Sequence, residues 1–140
     1  MAKMGTVKEI VSQAALEIGI VQVAVPKVFG SLDQDVVQMG ALLNAVADEV
    51  LLEEPYKFTL GDDVWVTSAA GTPKLFATLD NDYVLFDARL AINGVKYLFL
   101  QGKGLEFAEQ ARAFTVRMNK LAGRVNAKVL DLDGDEGRVV

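Results

Sequence analysis

Apolar residues recur every three or four positions in three stretches of the chain, fill a fourth almost without break and recur every second position in one, which predicts helices arranged around a small β region. In the first stretch Thr6-Val7-Lys8-Glu9 has the form of a capping box, and Val7, Ile10, Val11, Ala14 and Ile18 follow as a buried face that Gly19 ends. From Ile20 to Gly30 the chain is apolar but carries Pro26 and no helical period, as expected of an extended connector packed on the body. Ser31 with Gln34 repeats the capping pattern, and Val36, Met39, Leu43, Val46 and Val50 form a second apolar face. Gly40 lies inside that face and implies either a close helix-helix contact or simple tolerance, and Pro55 sets the end near Glu54.

The period then shortens to two. Tyr56, Phe58 and Leu60, a turn at Gly61-Asp62-Asp63, and Val64, Val66 and Ser68 describe a hairpin. Ala70-Gly71-Thr72-Pro73 is a further turn, with short strands possible from Lys74 to Leu79 and from Tyr83 to Leu85. Residues 86–101 are apolar nearly all round. Their β-branched and aromatic content allows a strand, but their length and the Gly102-Lys103-Gly104 stop favour a buried helix with Leu90, Ala91, Val95, Leu98 and Phe99 in the core. From Leu105 to Lys128, Phe107, Ala111, Phe114, Met118, Leu121 and Val125 draw one apolar stripe along a helix of roughly 24 residues and about 36 Å. The short link before it makes the last two helices antiparallel neighbours. Residues 129–140 read as an extended tail. The fold class expected is mainly α: one domain over 1–128, a bundle of about four helices with a β-hairpin or small antiparallel sheet inserted at about 56–86, followed by a C-terminal docking tail.

Composition narrows the chemistry. The 140-residue chain has no histidine and no cysteine, so it lacks the usual proton shuttle near neutral pH, the thiolate nucleophile, and the common ligands of zinc, haem and iron-sulfur centres. No enzyme is expected, and no catalytic, cofactor-binding or metal-binding residue. Asp131-Leu132-Asp133-Gly134-Asp135 has the acidic spacing of a calcium loop but places Glu136 where that loop needs glycine. Glu53, Glu54, Asp62 and Asp63 read as a helix end and a turn rather than a hydrolytic pair, and Gly102-Lys103-Gly104 lacks the Ser or Thr of a phosphate loop. Hydrophobic residues make up 51% of the chain, slightly above the ordinary range, so the excess thickens the core or covers an interface. No apolar run approaches the ~20 residues that span a bilayer, and the first residues show no secretory pattern, so synthesis in the cytoplasm is expected.

A net charge of −5 argues against sequence-specific nucleic-acid binding. Arg112, Arg117, Lys120, Arg124 and Lys128 are a local exception on the last helix. They read as a solvated face with Glu106 and Glu109 as counterions, or as a surface for an acidic protein partner or, last, for DNA phosphate. Trp65 either caps the core or anchors a partner.

The order of elements, together with the segments TVKEIVSQAALEIGI, ALLNAVADEVLLEEPYKFTL and KYLFLQGKGLEFAEQARAFTVRMNKLAGRVN, resembles the head-to-tail adaptor proteins of tailed bacteriophages over roughly half the chain. The resemblance implies a structural protein without a cofactor, found in the neck of the virion. Such adaptors form a ring, typically of twelve copies, between the portal protein and the tail or nozzle protein. It assigns Arg117, Lys120 and Arg124 to a neighbour or the portal, and Trp65 to a neighbouring subunit or the next tail component. The tail, through Val129, Leu130, Leu132, Val139 and Val140, would dock on the portal by ordering on binding. Twelve copies at −5 each carry roughly −60, and an acidic lumen would let DNA pass without specific binding. The tail is short beside the long extensions some of these adaptors carry. The alternative is a small cytoplasmic dimeric regulator or assembly chaperone, which the unusually apolar third helix would suit.

Overall fold

A computed structural model describes residues 5–52 and 64–133, with side chains described through residue 123. Helix α1, Val7–Glu17, begins with the expected capping box: Thr6 Oγ1 accepts from the Glu9 N–H at 3.2 Å, and Glu9 Oε1 accepts from the Thr6 N–H at 2.9 Å. It buries Val7, Ile10, Val11, Ala14 and Ala15, and stops where Gly19 takes a left-handed φ of 78°. The connector that follows is irregular, as its proline and aperiodicity suggested. Three of its backbone donors go to side chains elsewhere in the chain: Ser12 Oγ takes the Val25 N–H, while Asp80 takes those of Val28 and Phe29.

Helix α2, Gln34–Leu51, is capped by Asp33 rather than by Ser31. Asp33 Oδ1 accepts from the Asp35 N–H at 2.9 Å, and the Ser31 hydroxyl accepts from the Asp33 N–H at 3.1 Å. Both residue types cap well, and a carboxylate gains in addition from the positive end of the helix dipole, which moves the start inward by two residues. The five predicted apolar positions are all buried. Gly40 marks a close contact with the connector rather than with a helix, because a Cβ there would come within 2.8 Å of Val28 Cγ1.

Four two-residue strands, β1 (Gly5–Thr6), β2 (Val66–Thr67), β3 (Pro73–Lys74) and β4 (Tyr83–Val84), form one antiparallel sheet in the order β1-β4-β2-β3. Val84 lies between Gly5 and Val66, and Val66 between Val84 and Lys74. The predicted arm at Tyr56, Phe58 and Leu60 and its turn lie outside the described residues. The strand expected from Lys74 to Leu79 is confined to Pro73–Lys74, and the rest is loop. β1 was not anticipated. It runs straight into α1 and ties the sheet to the bundle.

Helix α3, Ala88–Gly102, is the buried helix that residues 86–101 predicted. It starts at the N-cap Asp87, buries Leu90, Ala91, Ile92, Asn93, Gly94, Val95 and Phe99, and packs on the other three helices. Leu98 is half-buried. A Cβ at Gly94 would lie 2.6 Å from Val46 Cγ1 and 2.9 Å from Phe114 Cε1, so this glycine sets how closely α2, α3 and the last helix approach. That helix, α4, spans Ala108–Asp133. Tyr97 meets Phe107 and Phe114, with ring centroids 6.3 Å and 5.4 Å away, and Asp87 meets Arg117. Numbers fall along α3 as they rise along α4, so the two are antiparallel. Phe114, Met118 and Leu121 are buried, as the stripe required, and Phe107 and Ala111 partly so.

The boundary at Lys128 is corrected. Helix α4 continues through Val129, Leu130, Asp131, Leu132 and Asp133, as neither proline nor glycine interrupts residues 124–133. These positions are therefore helical rather than extended, and Val139 and Val140 lie outside the described residues. Among the described residues, then, the architecture is four helices and one small antiparallel sheet.

Candidate interaction surface

Two residues expected at a partner surface are used inside the molecule. Trp65 is only 3% exposed and packs against Phe86 with ring centroids 6.0 Å apart, while its carbonyl accepts from the Leu85 N–H. It belongs to the buried core, just ahead of β2. Arg117 grips Asp87 with both ends of its guanidinium, Nε to Oδ2 at 2.7 Å and Nη2 to Oδ1 at 2.9 Å. Since Asp87 is fully buried and also accepts from the Leu90 N–H as the cap of α3, this pair fixes α4 against the start of α3. Lys120 is exposed on α4. Arg124, Val129, Leu130 and Leu132 lie on the same helix, but their side chains are not described.

A different surface emerges from the loop between β3 and β4. Leu75, Phe76 and Leu79 are 81%, 60% and 61% exposed, while Ala77 between them is buried. The backbone beneath them is held from three directions. Asn44 on α2 pairs with both polar groups of Ala77, Oδ1 to its N–H at 2.9 Å and Nδ2 to its carbonyl at 3.2 Å. Asp80 fastens the loop to the connector through Val28 and Phe29 at 2.8 and 2.9 Å. Asp82 Oδ2 accepts from the N–H groups of Thr78 and Leu79, each at 2.9 Å, and from the Lys74 ammonium. Burial pushes the Asp82 carboxyl upward, but Lys74 and the two N–H donors outweigh it and hold the group below the ordinary carboxylate range. Asp82 therefore stays charged, and the loop stays closed.

Three large apolar side chains are thus held in water on a backbone that cannot collapse over them. The sequence showed the apolar residues and the turn around Asp80-Asn81-Asp82, but alternation alone does not separate a strand from a loop. The anchor Asn44 is 33 positions from Ala77, and no local pattern announces that pairing.

Two clefts lie elsewhere. One, of about 250 Å³, opens between the end of α2 and α4 and is walled by Leu52, Phe114 and Met118 with Glu49, Thr115 and Asn119 at its edges. The other, of about 460 Å³, lies where α1, α3 and α4 meet, around Glu9, Gln13, Asp87, Arg89 and Arg117. Its charged groups are engaged within the chain. Arg89 and Lys96 both hold Glu17, at 2.9 and 2.8 Å. Among the described residues no cluster of three potential metal-ligating side chains occurs, and no helix is long and apolar enough to cross a membrane. Comparison with models of known protein families, with curated proteins and with solved structures finds no match for this chain.

Proposed function

We propose that this protein is a structural adaptor: a ring-forming virion component that joins the portal of a capsid to its tail. The observation that carries the reading is the rigid apolar loop. Exposing Leu75, Phe76 and Leu79 on a fixed backbone is unfavourable in an isolated chain, and burying each against a partner gains roughly 1.5–3 kcal/mol. Because Asn44, Asp80 and Asp82 hold the loop beforehand, little ordering entropy is lost on docking. Such a surface suits a macromolecular partner better than a small substrate. The assignment to a phage neck is supported by the resemblance in element order and in the three quoted segments.

In this reading the loop meets a neighbouring subunit or tail component, and Lys120, Arg124 and the chain from Val129 to Val140 meet the portal. DNA passes through the lumen without specific contacts, and the protein needs no cofactor and performs no catalysis. The test is the composition of particles made by the genome that encodes the chain. Purified virions should contain about twelve copies each, and deleting the gene should give DNA-filled heads that fail to join tails. A protein absent from particles and found as a stable dimer in the host cytoplasm would replace this reading with that of a regulator or assembly chaperone.

A further inference from the structure

We draw no further inference here: the strongest candidate, the open groove of about 440 Å³ between the connector and the β3–β4 loop, lined by Phe29, Ala69 and Leu79 together with Lys27 and the buried Asp82, carries nothing, because the Asp82 oxygen that lacks a hydrogen-bond donor is itself closed to solvent and nothing in the structure shows what covers the apolar wall.

Discussion

Asp87 and Arg117 show how one buried carboxylate can serve two elements. The carboxylate caps α3 through the Leu90 N–H and receives both arms of the α4 guanidinium, while being fully excluded from water itself. Asp87→Ala removes a cap and leaves Arg117 without this partner. Because the arginine side chain is 34% exposed, water recovers part of the loss, and the expected destabilisation is about 2–4 kcal/mol by denaturant unfolding. Glu17 gives a pH signature. Burial tends to raise its pKa, but Lys96, Gln13 and Arg89 outweigh that and bring it from 4.5 to about 2. A folded-state pKa below the unfolded one means that folding favours the charged form. The stability it adds is fully present above the unfolded value and is lost as the pH falls from about 4.5 to about 2. Glu17→Gln should flatten the acid limb of a stability-against-pH curve over that window; an unchanged limb would show that Glu17 does not contribute to it. At this scale the sequence was least legible. Arg117 read as part of a solvated basic face, because Asp87 is 30 positions away and nothing local marks its burial.

At the scale of elements the pattern was far more informative, because periodicity reports which face is buried. The first, second and fourth helices, the capping box at Thr6 and Glu9, and the antiparallel pairing of α3 with α4 follow from spacing and link length, while α3 follows from the length of its apolar run and the glycines that end it. The β region was harder to read: strands of two residues carry almost no alternation, and β1 lies where the sequence offers no strand signal. The helix end near Lys128 was misplaced because charge and composition change there, whereas neither proline nor glycine interrupts residues 124–133. Two glycines test the packing argument. Gly94→Ala must push Val46 or Phe114 aside and should destabilise by about 1–3 kcal/mol. Gly123→Ala, with nothing within 4 Å of the added methyl, should leave packing alone and stabilise α4 by up to about 1 kcal/mol. Thermal unfolding of the two variants should move the melting temperature in opposite directions.

For the whole molecule, what matters is that the residues that build the core and the exposed apolar side chains are different sets. The core is built by α1 to α4 around Leu43, Val46, Leu90, Val95 and Phe99, while Leu75, Phe76 and Leu79 face water on a loop that enters the core only through Ala77 and is held by three polar anchors. Phe76→Asp should therefore change folding stability by no more than about 0.5 kcal/mol, as at an ordinary surface position, while weakening the docking proposed for the loop. Asn44→Ala should do the reverse of a simple surface change: the apolar residues remain, but the backbone that presents them loosens, and docking weakens along with some stability. The exposure of the loop was invisible from sequence, since exposed and buried leucines look alike until the chain is folded. The central claim is that this chain assembles on a portal through surfaces it holds ready as a monomer. The most direct test is the mass of the purified protein alone and with portal rings from the same genome, for the native chain and for Phe76→Asp. The account predicts a monomer alone, a complement of about twelve copies on the portal, and an incomplete ring for the variant; a tight dimer indifferent to both the portal and the substitution would contradict it.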